Sequence, residues 1–421
     1  MEGFGASLTE SSAWLLQNKL DQNQRAKVLR DLFDPATGIG LSYVRLTMGA
    51  SDFSLNDFTY ADVPGDFVLD HFSIARDEAT VVPVLREILA IAPGTRLMGS
   101  PWSAPAWMKD SGDLHKGRLR RDCYYAYARY FERFIKAYAA HGLPIDAVTL
   151  QNEPHNEPCG YPCMRMDAPE QAELTKITAR QFQKAGITTG IILWDHNWDE
   201  PEYALEILKD STAYAACRGV AFHCYAGQVG AQSRVAEAFP GKSIYFTECS
   251  GGQWAPVFSD NLLWDYSTLL IGAVRHHAVA VLKWNLALDE RHGPVNGGCS
   301  DCRGVITIDT HTGAMTKNEE YYALGHASRF VRPGAVRIGS TDTEAQQLPN
   351  VAFRCPDGSY AMLAANQSDK KKTVEIRQGG RKVSFEAPPK SIVTVQWQQL
   401  RRKDLRVLIT TGDKTLLMAA Q

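Results

Sequence analysis

Residues 147–154, Ala-Val-Thr-Leu-Gln-Asn-Glu-Pro, show the pattern that decides the fold, a short apolar run that ends in polar side chains. Seven further runs of this kind fall in the first three-quarters of the chain, at Gly3–Ser7, Leu41–Met48, Arg96–Gly99, Gly190–Trp194, Val220–His223, Ser243–Thr247 and Val279–Trp284. Stretches with helical spacing, such as Tyr124–His141, Pro169–Ala185 and Asn261–His277, lie between them. Eight strands that alternate with helices predict an α/β fold, a (β/α)8 barrel, over residues 1–327.

The competing layout for this alternation is an open, doubly wound sheet. Such a sheet usually carries a glycine-rich phosphate loop after one of its strands. The sequence contains neither a GxGxxG motif nor a Walker loop. We therefore favour the barrel, predict no cofactor, and regard nucleotide-dependent functions as disfavoured.

The composition argues against several classes of protein. The 421 residues include 45 Lys and Arg and 47 Asp and Glu, and a net charge of −2 gives no general attraction to nucleic acid or to an anionic membrane. Apolar runs stay short of the ~20 residues that cross a bilayer, so no transmembrane segment is predicted. Residues 1–5 lack the basic and apolar regions of a signal peptide, and the localisation stays open.

Nine cysteines in a chain of this length are too few for a disulfide scaffold. Cys159 and Cys163 form one local pair, and Cys299 and Cys302 form another. A zinc site would need two such pairs to converge, or histidines at matching spacing, and neither pattern surrounds them. We interpret these pairs as local disulfides or plain thiols and predict no metal.

The pattern changes near residue 328, where short alternating runs separated by turn residues begin. These runs are Asn350–Arg354, Tyr360–Asn366, Thr373–Ile376, Val383–Phe385 and Ile392–Trp397. They predict a small antiparallel β-sandwich over residues 328–400. Residues 401–421 form a tail with one more strand-like run, which we expect to add a strand to the sandwich.

Two glutamates end predicted strands of the barrel, where the chemistry of such barrels is located. Glu153 follows the fourth strand and Glu248 ends the seventh, so their side chains can face each other across the mouth. Two carboxyl groups among aromatic and amide side chains suit glycoside hydrolysis, in which one protonates the leaving oxygen and the other attacks the sugar. A metal-dependent barrel hydrolase would instead need clustered His or Asp ligands, and the eleven His are scattered.

Several longer motifs place the sequence in a known family. They are Gly3-Phe-Gly-Ala-Ser-Leu-Thr9, Ala50-Ser-Asp-Phe-Ser54, Tyr60-Ala-Asp62, Ser100-Pro-Trp-Ser-Ala-Pro-Ala-Trp107, Gln151-Asn-Glu-Pro154, Thr247-Glu-Cys249, Trp284-Asn-Leu-Ala-Leu288 and Gly325-His-Ala-Ser-Arg-Phe330. With these motifs in this order, residues 1–400 resemble glycoside hydrolase family 30. The resemblance implies a retaining β-glycosidase of the glucosylceramidase type that acts on β-glucosides, glucans or glycolipids. A β-1,6-glucanase or β-xylosidase of the same family, and a non-catalytic carbohydrate-binding barrel, are the alternatives.

The resemblance also implies roles for individual residues. Glu153 matches the general acid/base and Glu248 the nucleophile, while Arg45 lies where it would tune the pKa of the nucleophile. The residues matched to substrate binding are Asp52, Trp102, Asn152, Tyr225 and Trp284, and the strand-end position of His223 adds it to them. We expect Arg45 to lower the pKa of Glu248, and burial with the Glu248 charge to raise that of Glu153.

Other strand-end residues have plainer interpretations. We assign Trp107 to packing, and Asp195, His196 and Glu157 to loop structure. Sugar-binding walls are expected to use the remaining strand-end aromatics, Trp194, Trp198 and Trp254.

The sequence departs from the family at its ends. Its first strand starts at Gly3, without the segment that usually precedes the barrel and joins the side domain. The tail run from Arg406 to Leu417 is similar to the start of bacterial relatives, and we hypothesise that it is either a rearranged or tandem copy of that start or a gene-boundary artefact.

Overall fold

Eight parallel strands close into a barrel in the computed structural model, which describes residues 1–157, 160–412 and 414–419. The barrel strands are β1 (Gly3–Leu8), β2 (Tyr43–Thr47), β3 (Arg96–Ser100), β4 (Ala147–Thr149), β5 (Gly190–Asn197), β6 (Gly219–His223), β7 (Ser243–Glu248) and β8 (Ala278–Lys283). Closure comes from β8, which pairs with both β7 and β1 and places Ala280 opposite Gly3. All eight predicted runs are barrel strands, so the predicted fold class is confirmed.

Helices surround the barrel and bury their apolar faces against it. They are α1 (Glu10–Asn18), α2 (Gln22–Phe33), α3 (Ala75–Ala79), α4 (Val81–Ile91), α5 (Tyr124–Ala140), α6 (Ala168–Ala185), α7 (Pro201–Leu208), α8 (Ser211–Ala216), α9 (Ala231–Ala238), α10 (Phe258–Trp264) and α11 (Glu319–Ser328). Local signals set several ends: Asp21 and Gln24 form a capping box at α2, and Gly186 ends α6 with φ 68°.

The helix predicted over Asn261–His277 differs from the observed one. After α10 the chain continues as a π-helix over Asp265–Ala273, which holds one extra residue in each turn. This segment brings the carboxylate of Asp265 to the ammonium group of Lys283, and both side chains are about 1% exposed. A buried lysine needs such a partner, because an unpaired charge would be costly in this position.

The C-terminal region forms a second domain, built from antiparallel strands. Six strands make its main sheet, in the order β9 (Val336–Ile338), β10 (Asn350–Arg354), β11 (Tyr360–Asn366), β14 (Ser391–Trp397), β15 (Arg406–Thr411) and β16 (Lys414–Ala419). A hairpin of β12 (Lys372–Gln378) and β13 (Arg381–Ala387) packs on that sheet through Val374, Ile376 and Val383. The predicted β-sandwich is thus present, and its strands β15 and β16 come from the tail.

His326 joins the two parts of the molecule. It lies on α11, is 1% exposed, and its ring contacts the hydroxyl groups of Thr394 on β14 at 3.0 Å and Thr410 on β15 at 2.8 Å. The Thr394 hydroxyl donates to the His326 carbonyl, so its oxygen accepts from Nδ1–H. Burial lowers the pKa of His326 to about 3, which keeps the ring neutral.

Two short elements lie above the barrel near its mouth. Gly251–Gly252 pairs with Cys302–Arg303 as an antiparallel ribbon, and a disulfide joins Cys299 to Cys302. None of the helices in the described ranges combines the length and the apolar character that crossing a bilayer requires.

Candidate active site

The two glutamates meet at the mouth of the barrel. Glu153 follows β4 and Glu248 ends β7, and both are buried, with 8% and 5% of their surface exposed. One oxygen of each carboxyl group and one nitrogen of His223 all lie within 4.8 Å of one another. Two strands on different sides of the barrel therefore deliver a close carboxyl pair into one site.

Arg45 occupies the centre of the charged cluster beneath this pair. Its guanidinium donates to Glu248 Oε2 at 2.5 Å, to Asn152 Oδ1 at 2.7 Å and to Asp195 Oδ2 at 2.9 Å. Because Arg45 is fully buried, it needs these acceptors. The same guanidinium fixes the positions of Glu248 and Asn152.

Asp195 belongs to this cluster, and its assignment to loop structure was wrong. It lies within β5 with none of its surface exposed, and Thr149 and Thr247 donate to it at 2.6 and 2.7 Å. Although burial opposes ionisation, the Arg45 charge and a hydrogen bond from His223 hold the pKa of Asp195 well below its usual range. The fixed negative charge offsets Arg45.

A bulge in β5 aims these side chains. The pairing of β5 with β6 shifts between Trp194 and His196, and Asp195 adopts a left-handed backbone with φ 67°. Glu153 is also left-handed, with φ 45°. Strained backbone of this kind persists where surrounding structure holds it and is typical of functional sites.

His196 is directed toward the pocket as well, with Nε2 3.9 Å from Glu153, so its assignment to loop structure was wrong. Glu157 lies in the loop after β4.

His223 bridges the acids. Its Nδ1 lies 3.1 Å from Glu153 Oε1 and its Nε2 3.1 Å from Asp195 Oδ1, and the ring is fully buried. Burial disfavours the charged ring, but the Glu248 charge and the hydrogen bonds with Asp195 and Glu153 raise the pKa of His223 to about 9. His223 is therefore an imidazolium at neutral pH, with both nitrogens donating.

The glutamate pair does not follow the expected order of pKa values. Burial raises the pKa of Glu248, and this outweighs the lowering by His223 and Arg45. For Glu153, burial is outweighed by the His223 hydrogen bond and the charges of His196 and His223, and its pKa is lowered. The expectation failed because sequence reasoning gave Glu248 a cation but placed none beside Glu153. The charges of Arg45 and His223 are balanced by Asp195 and by a glutamate pair that holds one proton between its two carboxyl groups.

A pocket of about 500 Å³ opens in front of the pair. Trp284 lines this pocket, while Trp102, which does not line it, stacks on Trp284 with ring centres 5.0 Å apart, and Phe53 meets Trp284 edge to face. Burial, with the charges of Glu248 and Glu153, raises the pKa of Asp52 well above its usual range. Within the described residues, Asp52 Oδ1 is buried without a hydrogen-bond partner, which suits a ligand hydroxyl.

Tyr225 completes the wall on the side of Glu248. Its hydroxyl donates to Glu248 Oε1 at 3.0 Å and accepts from the Ser250 amide at 3.1 Å. A disulfide between Cys224 and Cys249 joins the residues next to Tyr225 and Glu248. Sequence spacing did not indicate this disulfide, whereas Cys299–Cys302 is a local pair as expected. Cys159 lies outside the described residues.

Two pocket residues beside Glu153 were missed in the sequence. Asn156 donates to Glu153 Oε2 at 2.6 Å and to the hydroxyl of Tyr161 at 2.9 Å, and both side chains line the pocket. The position of Asn156, three residues after Glu153, was the available signal.

The strand-end aromatics divide into two groups. Trp254 borders the pocket, but Trp194 packs against Tyr203 and Trp198 packs against Phe246, both beneath the surface. Assigning Trp194 and Trp198 to a sugar-binding wall was wrong, because their rings turn outward into the helix layer. Trp107 packs against Phe67.

Among the described residues, Glu153, His223 and Glu248 form a group whose oxygen and nitrogen atoms lie close enough together to hold a metal ion. Paired carboxyl groups that face aromatic rings at the carboxyl ends of barrel strands are what glycoside hydrolysis requires. By fold and site the protein is a glycoside hydrolase.

Comparisons with known proteins give the family. Residues 1–331 match the glycosyl hydrolase family 30 TIM-barrel domain, and residues 334–395 match the family 30 beta sandwich domain. The chain belongs to glycosyl hydrolase family 30, as the sequence motifs predicted.

Named relatives carry two different activities. An endo-1,6-beta-D-glucanase of Neurospora crassa is 31% identical, over 90% of this chain and 82% of its own. The lysosomal acid glucosylceramidase of Mus musculus is 30% identical, over 87% of this chain and 75% of its own. The solved structure of an endo-beta1,6-glucanase is 33% identical with a TM-score of 0.89, covering 95% of this chain and 92% of that one.

Proposed function

We propose that the protein is a retaining endo-β-1,6-glucanase that uses Glu248 as nucleophile and Glu153 as acid/base. The observation that carries the mechanism is the separation of at most 4.8 Å between carboxyl oxygens of Glu153 and Glu248. Retaining enzymes place their carboxyl groups about 5–5.5 Å apart, whereas inverting enzymes need roughly 6.5–9.5 Å to admit a water molecule. The observed spacing leaves room for a sugar carbon and favours retention.

In the first step, Glu248 Oε attacks the anomeric carbon and forms a covalent bond to it. The bond from that carbon to the leaving oxygen breaks, and its electron pair stays on the oxygen, which takes the proton of Glu153. The reactive form of the pair thus has its single proton on Glu153. Arg45 and Tyr225 then stabilise the ionised Glu248.

In the second step, a water molecule replaces the leaving group. Glu153, now a carboxylate, takes a proton from the water while the oxygen of the water bonds to the anomeric carbon. The bond to Glu248 breaks and its electron pair returns to the carboxylate. Because each displacement inverts the anomeric carbon, the released sugar keeps the β configuration.

The site residues divide the work of binding. Trp284, on which Trp102 stacks, offers an apolar ring to the sugar, and the unpartnered oxygen of Asp52 accepts from a hydroxyl group. Asn152, held by Arg45, lies beside the nucleophile and suits the 2-hydroxyl. His223 positions Glu153 from beneath.

The choice of substrate is supported by the two endo-β-1,6-glucanases, one of them similar throughout its solved structure. The sequence analysis put the glucosylceramidase type first, and that activity is the second candidate because the mouse relative is nearly as similar. β-1,6-Glucan comes first because the two glucanases match 90% and 95% of this chain at 31% and 33% identity, whereas the mouse enzyme matches 87% at 30%.

The test of the mechanism uses an aryl β-glucoside. Glu248→Gln should abolish turnover, and Glu153→Ala should regain it with azide and yield a β-glycosyl azide. Tyr125→Ala, a change at an exposed residue of α5, serves as the control and should retain turnover. An α-configured azide product would refute retention.

The test of the substrate compares β-1,6-glucan, gentiobiose, glucosylceramide and xylobiose with the wild-type protein. Internal cleavage predicts a ladder of short β-1,6-oligosaccharides from the polymer at early times. Faster turnover of glucosylceramide than of β-1,6-glucan would overturn the substrate proposal and leave the mechanism intact.

A further inference from the structure

A disulfide continues the connection between β6 and β7 beyond the end of their pairing. The last paired residues are His223 and Glu248, and the register of the two strands shifts just before them. Cys224 and Cys249 are the next residues along the two segments, and a disulfide joins them. The covalent bond therefore holds together the two segments that carry the residues of the catalytic site.

Tyr225 depends on this link because its backbone and its side chain are held from opposite sides. Its amide donates to Asn197 Oδ1 at 3.0 Å, and the next carbonyl, that of Ala226, accepts from the Trp198 amide at 3.0 Å, so the backbone is tied to the end of β5. Its hydroxyl reaches the other way and donates to Glu248 Oε1, at the end of β7, at 3.0 Å. Since a hydrogen bond weakens with distance, a small separation of β6 from β7 would loosen this contact with the nucleophile.

The disulfide is accessible to small molecules. Cys224 and Cys249 both line a cavity of about 540 Å³ that shares Tyr225, Ser250 and Trp254 with the catalytic pocket. Cys224 is partly exposed, whereas Cys249 is buried. A thiolate that enters the cavity therefore meets the sulfur of Cys224 first.

We propose that the disulfide between Cys224 and Cys249 is a positioning element for Glu248, and that its reduction by a dithiol lowers the activity of the protein. The inference rests on the proposed function, because it concerns the nucleophile assigned there. Without the covalent link, the end of β6 follows its contacts with β5, and the hydroxyl of Tyr225 is no longer held against Glu248.

Reduction proceeds in two exchanges. One thiolate of the dithiol bonds to Sγ of Cys224 while the S–S bond breaks, and the electron pair stays on Sγ of Cys249, which takes a proton. The second thiolate of the dithiol then attacks the sulfur that the dithiol placed on Cys224, and Cys224 leaves with the electron pair and takes a proton. The protein gains two electrons and two protons, and the dithiol becomes a disulfide.

The first test combines Cys224→Ser with Cys249→Ser and measures an aryl β-glucoside at a temperature where every variant is folded. Here kcat/KM should fall roughly 10-fold, the low end of the loss expected for a hydrogen bond to a carboxylate. In a Tyr225→Phe background the same pair of changes should cost about twofold or less, because the contact that the disulfide protects is already gone. An equal loss in both backgrounds would overturn the proposal.

Leu363→Ala is the control for lost stability. This side chain is fully buried on β11, far along the chain from the catalytic residues, so its truncation should lower Tm and leave kcat/KM unchanged. A matching loss of kcat/KM in this control would show that lower stability alone explains the serine variant, and would overturn the proposal.

The second test treats the wild type with dithiothreitol and identifies the new thiols by alkylation and peptide mass analysis. Activity should fall to the level of the serine variant and return on reoxidation, and the serine variant itself should not respond. Full activity with Cys224 and Cys249 reduced, or a disulfide that resists dithiothreitol in the folded protein, would overturn the proposal. A wild type that fails to turn over the aryl β-glucoside before reduction would instead overturn the proposed function.

Discussion

Replacing His223 by glutamine tests the buried charge cluster most directly. In the wild type, His223 Nδ1 lies 3.1 Å from Glu153 Oε1. Glutamine keeps an amide group that can donate to this oxygen, but it lacks the imidazolium charge. Because the pKa of His223 is raised in the folded protein, its proton adds stability that is complete below about pH 6.5. That stability is lost as the pH rises through about 9.

The size of the effect follows from the shift. The pKa of His223 rises from 6.5 to about 9. At about 1.4 kcal/mol per unit, this corresponds to roughly 3 kcal/mol of unfolding free energy. Wild type should therefore lose roughly 3 kcal/mol relative to His223→Gln between about pH 6 and about pH 10.

The assay is urea denaturation of both proteins across this range of pH, with unfolding free energies extrapolated to water. His326→Gln is the matched control, since His326 is also a buried histidine but has a pKa lowered to about 3. Because its unfolded ring takes up a proton below about pH 7, wild type should gain about 1 kcal/mol or less relative to His326→Gln between about pH 6 and pH 7.5, and nothing at higher pH. Parallel curves for wild type and His223→Gln would refute the assignment of a charged His223.

Four further predictions concern the site and the tail. In the kcat/KM profile of His223→Gln, the basic limb should move to higher pH, because the glutamate pair keeps its proton longer without the imidazolium; an unmoved limb would contradict this. Tyr225→Phe should lower kcat/KM roughly 10- to 100-fold at an unchanged Tm, through the lost hydrogen bond to a carboxylate, and full activity would count against it. Cys224→Ser with Cys249→Ser should reduce the unfolding free energy by roughly 3 kcal/mol in urea, and equal stability would exclude a tethering role. Removing residues 401–421 should lower Tm by roughly 5 °C or more, because β15 is largely buried, and an unchanged Tm would show that the sandwich stands without it.

The barrel could be predicted because each strand is a separate apolar run with its polar residue at the end. The β-sandwich strands followed from the same alternation, and Asn350–Arg354 and Tyr360–Asn366 match their predictions residue for residue. The π-helix after α10 could not be predicted, because one extra residue in a turn leaves the apolar pattern nearly unchanged.

The site was only partly predictable because its contacts join distant strands. Glu153 and Glu248 carry motifs of their own, whereas Asp195 looks like a loop carboxylate until β2, β4 and β7 bring Arg45, Thr149 and Thr247 around it. The side chain of Trp194 points outward because its backbone is left-handed, with φ 68°. No residue pattern in the sequence predicts this conformation. The disulfide of Cys224 and Cys249 depends on strand order.

The contact of His326 with Thr394 and Thr410 limits how this protein can be recombined. A hybrid that joins this barrel to the sandwich of another protein must offer a hydroxyl group on each of the two neighbouring strands, at matching positions. Where either hydroxyl is missing, one ring nitrogen of His326 is buried without a hydrogen-bond partner, which lowers the unfolding free energy by about 1–3 kcal/mol. Exchange of whole side domains should therefore give the more stable hybrids when the donors share this pair, and His326→Leu in the recipient would remove the need for it.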